Sequence, residues 1–121
     1  MRIMIVDDSG TMRTIQRRCL EKLGVTSIVE APNGQVALDL FDQTTIDLVL
    51  TDWNMPIMDG LTLLKEIRSR NKEVPIIMLT TLACKTNVVS ALAAGVSDYL
   101  IKPFTPELLQ EKLDKWISTR V

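Results

Sequence analysis

The sequence predicts an α/β fold, a doubly wound (βα)5 arrangement in which a five-stranded parallel sheet carries helices on both faces. Three observations carry that expectation. Short β-branched apolar runs alternate with amphipathic segments, the pattern of parallel βαβ units and not of an all-helical or all-β chain. The runs Ile5-Val6, Val49-Leu50 and Ile76-Ile77-Met78-Leu79 are continuously apolar, as strands covered on both faces must be. Acids close two of the runs, Asp7 and Asp8 after Val6 and Asp52 after Thr51. Those carboxylates fall in the crevice at the strand C-termini, where open parallel sheets bind ligands.

Strands are expected at Arg2 to Val6, Ser27 to Ala31, Asp47 to Thr51, Pro75 to Thr80 and Asp98 to Ile101. Helix one follows Ser9, whose hydroxyl can accept from a first-turn N–H, and buries Met12, Ile15, Cys19, Leu20 and Leu23 before Gly24 ends it. Helix two follows the Pro32-Asn33-Gly34 turn and carries Val36, Ala37, Leu40 and Phe41 on one side. Helix three follows Pro56 and Gly60 with Leu61, Leu64 and Ile67, and helix four runs from Thr86 to Ala94 before Gly95. Helix five starts at Thr105-Pro106, a cap followed by proline at the first helical position, with Glu107 favourable to the helix dipole. Its buried stripe is Leu109, Leu113, Trp116 and Ile117.

With 121 residues, 46% of them hydrophobic, the chain can bury one core, and a single domain over 1–121 with no output domain is expected. Fourteen basic against fifteen acidic side chains give a net charge of -1. Nucleic acid and anionic membranes both demand a basic excess, so the expected partners are proteins. No secretory leader pattern opens the chain, and no apolar run approaches the ~20 residues of a membrane span, so a cytoplasmic protein is expected. Cys19 and Cys84 lack CxxC or zinc spacing and read as reduced thiols, Cys19 in the core. The absence of histidine removes the usual general base and the usual transition-metal ligand, which excludes Ser-His-Asp and Cys-His chemistry.

Strands one, three, four and five bring Asp7, Asp8, Asp52, Thr80 and Lys102 to one sheet edge. Three neighbouring carboxylates raise one another's pKa and destabilise a fold, unless a hard cation sits among them or one of them reacts as an acyl acceptor. A carboxylate can accept a phosphoryl group as an acyl phosphate while Mg2+ and a lysine neutralise the transferring oxygens. On this reading Asp7 and Asp8 offer oxygen ligands to Mg2+, and Asp52 is nucleophile and ligand. Lys102 is the counter-charge, and the Thr80 hydroxyl donates to a phosphoryl oxygen. Met55 and Met58 anchor a loop, since thioether sulfur suits softer ions.

Four segments carry a resemblance: Val6-Asp7-Asp8-Ser9, the block from Asp52-Trp53-Asn54 through Pro56 to Asp59-Gly60, Thr80, and Tyr99-Leu100-Ile101-Lys102-Pro103-Phe104. Together they resemble the receiver domain of two-component response regulators over essentially the whole chain, and within it the single-domain chemotaxis members most. The resemblance implies a flavodoxin-like fold and a signalling switch, not an enzyme. It implies Asp52 as the phosphorylated residue, Asp8 as a direct and Asp7 as a more indirect Mg2+ ligand, and the backbone carbonyl of Asn54 as a further ligand. Thr80 and Tyr99 become the switch pair, and Lys102 binds the phosphoryl oxygen, followed by a cis Lys102-Pro103 peptide.

The implied partners are a histidine kinase as phosphodonor, a target such as the flagellar motor switch, and a phosphatase, with the chain itself a monomer. The implied target face is formed by helix four, strand five and helix five, with Ala83, Lys85, Val88, Tyr99, Ile101, Lys112 and Lys115. Leu82 departs from the chemotaxis pattern, at a place that is often acidic and influences water access to the phosphoryl group.

A single-domain receiver of a non-chemotaxis phosphorelay is the alternative within the family. An aspartyl-phosphate hydrolase would need an acid two residues after Asp52, where Asn54 stands. A flavin module on a similar sheet would set its phosphate against Asp7, Asp8 and Asp52. Two side-chain expectations complete the reading. Trp53 covers the edge of the site, and Arg13, Arg17, Arg18 and Lys22 form a solvated face with Arg17 and Glu21 at i,i+4.

Overall fold

A computed structural model describes residues 1–81 and 84–118. The elements alternate as expected: β1 (Arg2–Val6), α1 (Gly10–Lys22), β2 (Ser27–Ala31), α2 (Gly34–Gln43), β3 (Leu48–Asp52), α3 (Gly60–Arg70), β4 (Ile76–Thr80), α4 (Lys85–Ala93), β5 (Asp98–Ile101) and α5 (Pro106–Ser118). The five strands form one parallel sheet in the order β2-β1-β3-β4-β5. Among the described residues no helix is long and apolar enough to cross a membrane.

Alternation along the strands divides the core in two. Ile3, Ile5, Leu48, Leu50, Ile77 and Leu79 face Cys19 and Leu20 of α1 and Leu109 and Leu113 of α5. Met4, Val6, Val49, Ile76 and Met78 face Ala37 and Leu38 of α2, Leu63, Leu64 and Ile67 of α3, and Ala91 of α4. Each fully buried aliphatic side chain contributes about 1.5 to 3 kcal/mol on leaving water, so these clusters outweigh the exposed ion pairs. Cys19 is buried and Cys84 exposed, both as free thiols.

Local chemistry sets the helix starts. The side chains of Ser9, Asn33, Asp59 and Thr105 accept from the N–H groups of Met12, Val36, Thr62 and Leu108. Gly24 follows α1 at a φ of 86°, the left-handed conformation that glycine adopts without strain.

Several boundaries and faces differ from expectation. β3 starts at Leu48; Asp47 precedes it, its N–H donating to the Arg2 carbonyl at 2.8 Å and its carboxylate accepting from the Arg2 N–H. β4 starts at Ile76, as Pro75 has no N–H to give, although its carbonyl accepts from Val49. α4 lies one residue earlier at both ends, with Cys84 as its cap residue. The buried face of α2 is Ala37 and Leu38, with Leu40 and Phe41 partly covered, while Val36 is 37% exposed. Leu63 joins Leu64 and Ile67 in the core and Leu61 is only partly buried.

Trp53 is 8% exposed and lies within the core on the α2–α3 side of the sheet; the chain turns its indole inward as it leaves β3, so it does not cover the site edge. Arg17 does not rely on Glu21. It and Arg13 converge on Glu30 of β2, at 2.7 and 3.0 Å, and hold that carboxyl below its ordinary pKa against the opposing influence of burial.

Candidate functional site

The sheet order puts β1 beside β3, so Asp7 and Asp8 meet Asp52 at the C-terminal edge. Asp7 continues the line of β1, its N–H donating to Ala31 of β2, and it is buried. Its Oδ1 accepts from the Ser9 N–H at 2.9 Å; its Oδ2 lies 3.4 Å from Gln16 Nε2 and 3.6 Å from Lys102 Nζ. Asp8 is exposed. Asp52 ends β3 opposite Leu79 of β4, accepts from its neighbour Trp53 N–H at 2.7 Å, and sits 3.3 Å from Lys102 Nζ. One oxygen from each of Asp7, Asp8 and Asp52 lies within 4.8 Å of the other two.

Lys102 reaches this edge because its backbone N–H donates to the Thr80 carbonyl at 2.8 Å, which extends the β4–β5 ladder by one step past Ile101. The peptide that follows, Lys102-Pro103, is cis, as the sequence resemblance implied. Thr80 ends β4 and is buried; Tyr99, opposite Met78 in the ladder, is half-buried against the core.

The loop after Asp52 is held by glycines that leave no room for a side chain. Gly60 donates to the Trp53 carbonyl at 2.8 Å, and a Cβ on it would collide with the Asp52 carbonyl oxygen. A Cβ on Gly34 would stand 2.7 Å from the Met58 carbonyl oxygen, so the start of α2 braces the same loop. Between them, Met58 N–H donates to the Pro56 carbonyl across Ile57, a tight γ-turn, and Asn54 is exposed on the rim. Met55 and Met58 pack partly buried on the core, as loop anchors do.

Burial is the main influence on Asp7 and pushes its pKa up, reinforced by the charges of Asp52 and Asp8; the Ser9 N–H and Lys102 oppose it. Among the described residues the Lys102 ammonium pairs with two of the three carboxylates, Asp7 and Asp52, which leaves the cluster short of positive charge. A hard divalent cation with oxygen ligands fits that deficit, and Asp7, Asp8 and Asp52 are the residues that would hold it.

The remaining predicted residues lie on or beside α4, β5 and α5. Lys85 and Lys115 are exposed, and Val88, Ile101 and Lys112 are half-buried. Leu82 and Ala83 lie outside the described residues. Lys112 is engaged with Asp98 at 2.8 Å, and Lys115 stands over the Trp116 ring at 5.5 Å. Sequence reasoning overlooked Gln16, a buried amide against Asp7. Its place one turn from both Met12 and Leu20, a polar residue inside an apolar stripe, is the signal that could have found it.

Known proteins resemble this chain along nearly its whole length. The response regulator receiver domain matches residues 3–114. The chain is 48% identical to chemotaxis protein CheY1 of Helicobacter pylori over 122 aligned positions, covering 98% of each. Among solved structures it resembles the receiver domain of Francisella response regulator 1452, at a TM-score of 0.90 and 29% identity, covering 99% of this chain and 98% of that one. It also resembles chemotaxis response regulator CheY4 of Vibrio cholerae, at 0.87 and 32%, covering 95% and 97%. Matched by that domain over residues 3–114 and 48% identical to a chemotaxis relative along almost its whole length, the chain belongs to the response regulator receiver domain family.

Proposed function

We propose that Asp52 accepts a phosphoryl group from a phosphohistidine on a partner histidine kinase. The observation that carries this reading is the position of Asp52 Oδ2, 3.3 Å from Lys102 Nζ in a cluster with Asp7 and Asp8. An Asp52 oxygen attacks phosphorus, the P–N bond breaks, and the imidazole leaves with its electron pair; the product is an acyl phosphate. Mg2+, when bound, supplies charge neutralisation on the phosphoryl oxygens, held by Asp7, Asp8, Asp52 and the backbone carbonyl of Asn54. Lys102 neutralises a further oxygen, and the Thr80 hydroxyl donates to another once it is present.

The donor has an apolar approach. A groove of about 370 Å3 between α1 and the β5–α5 loop, lined by Met12, Ile15, Pro103, Phe104 and Pro106, opens beside Lys102. Inward movement of Thr80 and then Tyr99 repacks the α4–β5–α5 face, raising its affinity for a target. Lys85, Val88, Ile101, Lys112 and Lys115 contact that target. A coupling of about 1 to 3 kcal/mol between the two sites would suffice. The similarity to chemotaxis proteins favours a cytoplasmic, monomeric, single-domain regulator whose target is of the flagellar motor switch type.

Incubation with Mg2+ and acetyl phosphate, followed by intact mass and tryptophan fluorescence, tests the assignment. The expected result is one added phosphoryl group and a fluorescence change from Trp53, buried next to Asp52, with a Trp116→Phe variant removing the second indole. Asp52→Asn keeps the fold and gains no phosphoryl group. Phosphorylation of that variant at an unaltered rate refutes the site.

A further inference from the structure

Gln16 is 1% exposed, on the inner stripe of α1. Its Nε2 donates to Asp7 Oδ2 at 3.4 Å, while its Oε1 is buried with no hydrogen-bond partner among the described residues. An unmet buried acceptor destabilises a fold, and an apolar side chain of the same shape would avoid that cost. The reason for an amide here therefore lies at its donor end.

Asp7 needs donors, because its carboxylate is buried and water cannot solvate it. The Ser9 N–H serves Oδ1 at 2.9 Å. On Oδ2, Lys102 stands off at 3.6 Å and is shared with Asp52, to which it is closer at 3.3 Å. Gln16 is the neutral donor to that second oxygen. With one bond to each oxygen, from the backbone after β1 and from α1, the plane of the carboxylate is fixed.

We infer that Gln16 is a positioning residue of the acidic site, which orients and supports the Asp7 carboxylate for the cation that Asp7, Asp8 and Asp52 would share. The inference rests on the Mg2+ reading of that site. Removing a hydrogen-bonded neighbour of a metal ligand typically costs 10- to 100-fold in affinity, and the long contact here puts the expected effect at roughly three- to tenfold.

The test compares the unaltered protein with Gln16→Leu and Gln16→Met by calorimetric Mg2+ titration, and by thermal unfolding in EDTA. The expected outcome is crossed. Mg2+ binding weakens roughly three- to tenfold, while the metal-free melting temperature stays level or rises by up to ~5 °C as the unmet acceptor is removed. Phosphorylation from acetyl phosphate slows at low Mg2+ and recovers at high Mg2+. Methionine, with the unbranched shape of glutamine, carries the test should leucine fit badly. Variants that bind Mg2+ as tightly as the unaltered protein, or that only lose stability, overturn the inference alone. No Mg2+ binding by the unaltered protein overturns the metal reading of the site and the inference with it.

Discussion

Ile57 holds φ at 73° with its side chain 81% exposed. A β-branched residue in that region crowds its own backbone, and the γ-turn from Pro56 to Met58 leaves it no other conformation. The strain, on the order of 1 to 3 kcal/mol, sits in the loop that leaves Asp52. Almost nothing packs on this side chain, so replacing it removes strain at little loss of contact. Ile57→Asn and Ile57→Gly are expected to raise stability by about 1 kcal/mol, read as a higher denaturation midpoint at unchanged slope. Glycine will gain less than the relief of strain suggests, because it also loosens the unfolded chain. A lower midpoint for both variants would mean that the isoleucine makes contacts that its exposure conceals. In the sequence, position 57 falls in the loop that Met55 and Met58 anchor, ahead of helix three. Its left-handed backbone is not legible there, since that follows from closing the loop between Gly60 under Asp52 and Gly34 against Met58.

β5 and α5 are tied by a carboxylate. Asp98 Oδ1 accepts from Lys112 Nζ at 2.8 Å and from the Tyr99 N–H at 2.9 Å, and its Oδ2 accepts from Trp116 Nε1 at 2.8 Å. Burial alone would push this carboxyl up, but the bonds from Lys112, Trp116 and Tyr99 outweigh it and hold its pKa below the ordinary value. A depressed acid stabilises the fold above its unfolded pKa, and that contribution fades as pH falls through the folded one. Asp98→Asn should therefore cost about 1 kcal/mol at pH 7, discounted for the partly exposed lysine, and the gap should narrow as pH falls through the depressed folded pKa. Denaturant unfolding of both proteins at neutral pH and along an acid series checks it; a gap that does not narrow in acid would assign the effect to shape and not charge. The tie was hidden in the sequence because Lys112 and Trp116 read as members of a helix, one charged and one apolar, with no local sign that both point at one acid on β5. The same limit explains Arg13 and Arg17 meeting Glu30 across the β2 edge, and Leu38 replacing Val36 on the buried face of α2. Period and capping are local and were legible in Ser9, Thr105 and the alternating strands. Rotation of a helix about its axis is set by what it meets.

At the scale of the whole molecule, the site was legible because parallel topology is a strong constraint: every strand ends at the same edge, so residues that close strands must gather there. The order β2-β1-β3-β4-β5 then makes the two acid-bearing strands neighbours, while Lys102 arrives from β5 across β4. The unfolded chain has no such gathering, since Asp7 and Asp52 are then far apart along it. A cation that binds the folded cluster and not the dispersed acids must stabilise the fold, by about 2.7 kcal/mol when its concentration is 100 times its dissociation constant. For a chain of this size that corresponds to a rise in melting temperature on the order of 10 °C. The comparison to make is Mg2+ against an NaCl solution of equal ionic strength, because general screening also relieves repulsion among Asp7, Asp8 and Asp52. A rise with both salts alike would assign the effect to screening, and an unchanged melting temperature at saturating Mg2+ would remove the metal from the site. A rise specific to Mg2+ and lost in Asp8→Asn, whose exposed carboxylate has the least part in holding the fold, would tie the stabilisation to the strand edge itself.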